Sequence, residues 1–126
     1  MPMPTTKELV YQARQAGYQI TEAQQIRANR WFLTLKDTNG ATLLVLVQAR
    51  PLIISADVQD LAELVQVRRI ARGLLWAYGG SFSPAAHRTL NELSASHLRF
   101  CTALPPAAQP EGEELVKVSA ALRPTS

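Results

Sequence analysis

The strongest local pattern in the 126-residue sequence is a pair of apolar strands joined by a tight turn. Residues 30–49, RWFLTLKDTNGATLLVLVQA, hold two apolar runs, and the Asn39-Gly40 pair between them tolerates the positive φ angles of a hairpin. The second run leads into Gln48 and Arg50, which are two residues apart and therefore lie on the same face of the strand. This spacing predicts a polar spot at the end of a strand that otherwise belongs inside a sheet.

Helix signals surround this hairpin. Thr5 or Thr6 is suited to cap a first helix that Gly17 ends, Ser55 is an N-cap candidate for a second helix, and Ser83 is one for a third. The acidic residues that follow Ser55 suit the positive end of the second helix dipole. Between the first helix and the hairpin, the stretch YQITEAQQIRANR indicates only a weak strand and a loop.

Short apolar runs predict the rest of the sheet. LLWAY reads as a buried strand and HLRFCTAL as a last strand, each following a helix. Strand–helix–strand connections are right-handed crossovers, so the later strands should be parallel and covered on both faces. We therefore expect an α/β fold with a central mixed sheet of four to five strands flanked by helices on both faces. This domain should span residues 1–104, followed by a proline-containing linker and C-terminal tail over 105–126.

Composition narrows the class of protein. Residues 1–110 hold 11 Lys and Arg against 7 Asp and Glu. Over the whole sequence arginine, whose planar fork suits phosphates, outnumbers lysine ten to three. The single cysteine, Cys101, lies in an apolar stretch and cannot form an internal disulfide. The sequence shows neither a membrane-length apolar run nor the apolar core of a signal peptide. We expect a soluble, cytoplasmic protein with a basic body.

Several of these segments together resemble one nuclease family. Glu8 in the first helix, AGY at its end, VLVQAR on the central strand, DVQDLAEL in the second helix and GGSFSPAAHR after a strand are similar to the Mrr-type restriction endonucleases, within the PD-(D/E)xK nuclease superfamily. The resemblance runs from about Lys7 to Thr102. It implies a restriction-endonuclease-like fold, DNA as the partner and often a homodimer.

The resemblance also implies a metal-dependent site, of which this sequence keeps only part. Members use a helix acid, an Asp on the first hairpin strand, an acid or Gln on the second, and a Lys two residues later to bind Mg²⁺ and hydrolyse a phosphodiester. Glu8 matches the helix acid and Gln48 the glutamine variant, whereas Arg50 stands in the lysine place. The family spacing places the missing Asp within residues 32–35, FLTL, which contain no acid. The nearest carboxylate, Asp37, is explained by turn chemistry.

These departures predict a remnant site formed by Glu8, Gln48 and Arg50, in a protein that is not an enzyme and needs no cofactor. The first hypothesis is a catalytically degenerate nuclease fold that acts as a nucleic-acid-binding or accessory module. Its expected binding residues are arginines: Arg50, Arg68, Arg69, Arg72 and Arg88.

Two alternatives stay open at this point. One is an active Mg²⁺-dependent endonuclease with a rearranged metal site of Glu8, Asp37 and Gln48. The other is a scaffold or interaction subunit that does not contact nucleic acid.

Overall fold

The computed structural model describes residues 3–93 and 97–107. In chain order the elements are α1 (Thr6–Gln15), β1 (Gln19–Arg27), β2 (Arg30–Lys36), β3 (Thr42–Gln48), β4 (Leu52–Ile53), α2 (Ser55–Arg68), β5 (Arg72–Ala77), β6 (Ser81–Phe82), α3 (Pro84–Glu92) and β7 (Leu98–Cys101). No helix in these two ranges is long and apolar enough to cross a membrane.

The central sheet has five strands in the order β1-β2-β3-β5-β7. The first three strands form an antiparallel meander, and β3, β5 and β7 are parallel to one another. Strands β4 and β6 pair in parallel as a small second sheet. The expected mixed α/β sheet with a parallel second half is confirmed. Its later strands are parallel because each connection between them passes through α2 or α3.

The two faces of the sheet carry separate apolar cores. On one face, Leu9 and Ala13 of α1 pack against the odd-numbered residues of the hairpin, which include Trp31 and Val45. On the other face, α2 and α3 cover the even-numbered residues; this second cluster includes Phe32, Leu44, Leu46, Val58 and Leu61. Each fully buried side chain of this size contributes about 1.5–3 kcal/mol, so both faces fix the register of the strands.

The hairpin turn is held by Asp37. Its carboxylate accepts hydrogen bonds from the backbone amides of Asn39 and Ala41, both at 2.9 Å. Of the Asn39-Gly40 pair, only Gly40 has a positive φ, of 81°. The turn therefore combines a side-chain cap with one left-handed glycine, so only one residue of the pair that tolerates positive φ angles adopts one.

Two features differ from the sequence-based expectations, and one further contact lies at the start of the expected linker. The stretch expected to be a weak strand and a loop is a nine-residue edge strand, β1. The N-cap of α2 is Ile54 instead of Ser55, because the Asp57 carboxylate accepts a hydrogen bond from the backbone amide of Ile54. At the start of the expected linker, the Pro105 carbonyl accepts a hydrogen bond from the Tyr18 hydroxyl at 2.8 Å. Residues 108–126, most of the expected tail, lie outside the described residues.

Candidate functional site

The end of β3 faces an arginine across the hairpin. Gln48 pairs directly with Arg30 on β2, 18 residues earlier in the chain. The segment where the family spacing placed the missing acid, residues 32–35, pairs with residues 43–46 and lies further along the strand. The position opposite Gln48 therefore holds a cation, and the acid that metal-dependent hydrolysis requires is absent from it.

The Arg30 guanidinium donates hydrogen bonds to three side-chain oxygens. Its Nε donates to Gln48 Oε1 at 2.6 Å, its NH1 to Asp60 Oδ2 at 2.8 Å and its NH2 to Asp57 Oδ1 at 2.7 Å. Gln48 is buried, as expected for a residue on the strand face that α2 covers. Arg30, at 13% side-chain exposure, is nearly buried too, so these charge-assisted hydrogen bonds form largely away from water.

Asp57 is the centre of the site. It is only 1% exposed and belongs to the first turn of α2, where the helix dipole favours a negative charge. One NH2 group of Arg50 donates to both Asp57 oxygens at 2.7 Å, and the Ile54 amide donates to Oδ2 at 2.9 Å. With the Arg30 bond, each carboxylate oxygen of Asp57 accepts two hydrogen bonds, which satisfies a buried carboxylate.

Arg50 links this buried network to the surface. Its side chain is 36% exposed, while its Nε is buried and has no hydrogen-bond partner in the described part of the chain. The backbone beside it is tightly packed, because a Cβ atom added to Gly80 would overlap the carbonyl of Arg50 and come within 2.8 Å of the Pro51 oxygen. Glycine at position 80 therefore allows the loop after β5 to close over the end of β3.

Glu8 is not brought to this network. It is exposed in the first turn of α1, the helix that packs on the sheet face opposite Gln48. Its carboxylate accepts the Thr5 amide at 2.8 Å in a capping box, which is a sufficient structural reason for an acid at this position. Of the three residues of the expected remnant site, the structure joins Gln48 and Arg50 through Arg30 and Asp57, and leaves Glu8 apart.

Asp37 lies at the other end of the hairpin from Gln48, about 20 Å away at roughly 3.3 Å per residue. It forms an ion pair with Arg72 at 2.8 Å. Partial burial acts to raise the pKa of the Asp37 carboxyl, but hydrogen bonds from the Ala41 and Asn39 amides and from Arg72 outweigh it and hold that pKa below its ordinary value. The rearranged metal set of Glu8, Asp37 and Gln48 is therefore not assembled.

The residues around Gln48 do not fit a divalent metal ion. Mg²⁺ requires oxygen ligands at about 2.1 Å with near-octahedral geometry. Here the oxygens of Asp57 and the side-chain oxygen of Gln48 already accept hydrogen bonds from guanidinium groups. Within residues 3–93 and 97–107, no group of three or more His, Cys, Asp or Glu residues has an arrangement that would hold a metal.

The remaining arginines named from the sequence lie mostly at the other end of α2. Arg68 stacks on Phe32 and pairs with Glu22 at 3.2 Å, Arg69 is exposed at the helix C-cap, and Arg72 is tied to Asp37. The 14 residues of α2 separate this group from Arg50 by about 20 Å at 1.5 Å per residue. Arg88 is exposed on α3. The expected binding residues therefore form separate groups.

Sequence reasoning did not find the three residues Arg30, Asp57 and Asp60. Arg30 could have been found by counting outward from the turn at both sides, since residues in an antiparallel hairpin pair symmetrically about its turn. Asp57 and Asp60 are three residues apart and so share one face of α2, but acids in a first turn are common for the helix dipole alone. Their spacing therefore did not distinguish a site from a helix start.

The central elements are a helix, an antiparallel meander of three strands, a helix, a strand, a helix and a strand. This order and the mixed five-stranded sheet define a restriction-endonuclease-like fold. The structure of EndoMS in its apo form is similar to this chain with a TM-score of 0.59 and 18% sequence identity, over 84% of this chain and 48% of that one. A repair endonuclease from Pyrococcus abyssi gives a TM-score of 0.49 and 14% identity, over 84% and 49% of the two chains. The chain thus spans about half the length of these two proteins. No protein-family model and no curated protein sequence matches the chain.

Proposed function

We propose that the protein binds nucleic acid, DNA in the first instance, through a nuclease fold that does not hydrolyse its ligand. The observation that carries the proposal is the presence of two arginines at the site, of which Arg50 stands in the lysine place of the nuclease resemblance. Arg30 stands opposite Gln48 and Arg50 stands two residues after it, and both donate to the buried Asp57. A site of this composition offers cations to a phosphate, and its buried carboxylate, Asp57, is already bonded to both arginines.

The absence of cleavage follows from the chemistry of arginine. A nuclease of this fold needs a metal-activated water and a group that can exchange a proton near neutral pH. Arginine stays protonated at any working pH, so Arg50 can orient or neutralise a phosphate but cannot act as a base. On this proposal the protein needs no metal cofactor, and its partner interactions depend on charge and shape.

Arg50 is the residue of the site that we expect to contact a phosphate. It is part exposed, and it bonds to Asp57 through its NH2 nitrogen. The Arg68, Arg69 and Arg72 group at the far end of α2 offers a second contact region about 20 Å away. That separation suits a ligand with regularly spaced phosphates better than a single small anion.

Fluorescence anisotropy with labelled duplex DNA, single-stranded DNA and RNA of one sequence, titrated at several salt concentrations, tests binding. We expect duplex binding that weakens steeply with salt, and a salt slope that falls by about 0.9 in Arg50→Ala if that residue neutralises one phosphate. Arg14→Ala, which removes an exposed arginine from the opposite sheet face, is the matched control and should leave the slope unchanged. Failure to bind any of the three ligands at low salt would favour the scaffold hypothesis.

A cleavage assay on the same DNA in Mg²⁺ or Mn²⁺ tests the loss of catalysis. We expect no metal-dependent products from the natural sequence. For a restored site we propose Arg30→Asp combined with Arg50→Lys, because Arg30 is the residue that pairs with Gln48 across the hairpin. Cleavage by the unmodified protein that a chelator abolishes would overturn the proposal.

Two finer expectations remain predictions. A homodimer is expected from the resemblance to Mrr-type nucleases, and light scattering coupled to size exclusion tests it. The Mrr type itself is a narrower statement than the fold, and it rests on the sequence resemblance, in which the VLVQAR and GGSFSPAAHR segments are the most specific parts.

A further inference from the structure

We infer that the Arg30 guanidinium takes the place of a metal ion in this site. It makes the site independent of divalent metal, and its removal would leave a set of oxygens that can bind one. This inference concerns the fold's own charge balance, so it stands or fails independently of nucleic-acid binding. It starts from the convergence of oxygens on one group: Gln48 Oε1, Asp60 Oδ2 and Asp57 Oδ1 each lie 2.6–2.8 Å from a different nitrogen of Arg30.

The three oxygens come from two elements, β3 and α2, that the fold holds rigidly. Gln48 ends a central strand, while Asp57 and Asp60 lie on consecutive positions of one α2 face. Carboxylate and amide oxygens are the ligands that hard divalent cations prefer. Three such oxygens surround one cationic group, and Arg30 fills the space between them with a planar group whose three nitrogens match three acceptors.

Charge counting supports the same assignment. Asp57 and Asp60 bring two negative charges, and Arg30 and Arg50 bring two positive charges through the three short ion pairs that join them. A divalent ion added to this neutral set would face two fixed guanidinium charges and oxygens that are already engaged. If Arg30 were removed, two carboxylates would be left facing Arg50 alone, and the net negative charge would attract a cation.

The geometry also predicts which metal ion the site would prefer once the Arg30 guanidinium is removed. A guanidinium is wider than a metal ion, so the oxygens now surround a larger volume than the roughly 2.1 Å ligand distance of Mg²⁺ requires. Mn²⁺ and Ca²⁺ tolerate more irregular oxygen shells, and the remaining ligands would be water. We therefore expect an Arg30 variant to bind Mn²⁺ or Ca²⁺ before Mg²⁺.

The test is direct Mn²⁺ binding, measured from the loss of the electron paramagnetic resonance signal of free Mn²⁺, together with thermal unfolding in EDTA and in MnCl₂. The wild-type protein should bind no Mn²⁺ and should unfold at the same temperature in both conditions. Arg30→Gln should bind Mn²⁺ and should unfold at a higher temperature in MnCl₂ than in EDTA. Adding Asp60→Asn should remove the gained binding, and Arg14→Gln, the matched charge control, should gain none.

Each outcome decides the inference. Mn²⁺-dependent stabilisation of the wild-type chain would overturn it without any variant, because the natural site would then accept a metal beside Arg30. A folded Arg30→Gln chain that gains no Mn²⁺ binding would also overturn it. If Arg30→Gln does not fold in EDTA, refolding on addition of MnCl₂ supports the inference, and failure of Mn²⁺ to restore folding contradicts it.

Discussion

Removing the charge of Asp57 is expected to cost more stability than any single change at the surface. Asp57→Asn keeps the shape of the side chain and an acceptor for the Ile54 amide, but it leaves Arg30 and Arg50 without their shared counter-charge. Breaking a buried ion pair from one side costs about 3–5 kcal/mol. Arg50 is part exposed and regains water, and Arg30 keeps Asp60 and Gln48, so we expect the low end, about 3 kcal/mol.

The free energy of unfolding is measured by urea titration, with tryptophan fluorescence as the probe because Trp31 and Trp76 are both buried. The matched control is Glu22→Gln, which breaks the exposed ion pair with Arg68 and should cost less than about 0.5 kcal/mol. A loss for Asp57→Asn no larger than that of the control would refute the view that this carboxylate holds the site together.

Two further substitutions and one measurement of thiol reactivity have defined outcomes. Arg69→Gly should stabilise the fold by about 1 kcal/mol in urea titrations, because Arg69 adopts a left-handed backbone at the α2 C-cap with φ 56°, whereas Arg69→Ala should not. Asp37→Asn should make the stability of the fold less sensitive to acid. The Asp37 carboxyl has a depressed pKa in the folded state, so it contributes stability above its unfolded pKa of about 4 and loses that contribution as the pH falls through its folded pKa. Urea unfolding midpoints measured across this pH range test the prediction. Burial raises the pKa of Cys101 to about 12, so the folded chain should react with a thiol reagent at mildly alkaline pH at least about a hundredfold more slowly than the urea-unfolded chain.

The architecture was predictable because its signals are local. The two apolar runs around Asn39-Gly40 define the hairpin, and Ser83 with Pro84 at the first helical position begins α3, where the Ser83 side chain accepts the Ala86 amide. Buried parallel strands such as β5 appear as short, continuous apolar runs that follow a helix. Each of these signals lies within a few residues of the element that it specifies, so tertiary packing had little opportunity to override it.

The edge strand β1 was underestimated for a physical reason. Its sequence, QITEAQQIR, is mostly polar, and most of its side chains are exposed. Strand propensity in such a segment depends on cross-strand pairing with β2, which a single-strand pattern does not contain. Two register irregularities in that pairing, between Ile20 and Glu22 and between Gln25 and Arg27, also interrupt the alternation that would have indicated a longer strand.

The site could be predicted only in part, because its partners are distant in the chain. Gln48 and Arg50 were visible as a pair at a strand end, but their contacts depend on Arg30, 18 residues before Gln48, and on a helix that begins after the strand. The family spacing pointed to residues 32–35 and took no account of the hairpin register of this chain. Register, which is set by the turn and by burial on both faces, pairs Gln48 with Arg30 and residues 32–35 with residues 43–46.

The central claim is that arginine, not metal, supplies the positive charge beside Gln48. A crystal of the wild-type protein soaked in MnCl₂, with anomalous diffraction recorded at the manganese absorption edge, tests it most directly. We predict no anomalous peak within bonding distance of the Gln48, Asp57 and Asp60 oxygens, and an Arg30 guanidinium that keeps its three hydrogen bonds. A manganese peak coordinated by these oxygens, with Arg30 displaced, would contradict the account.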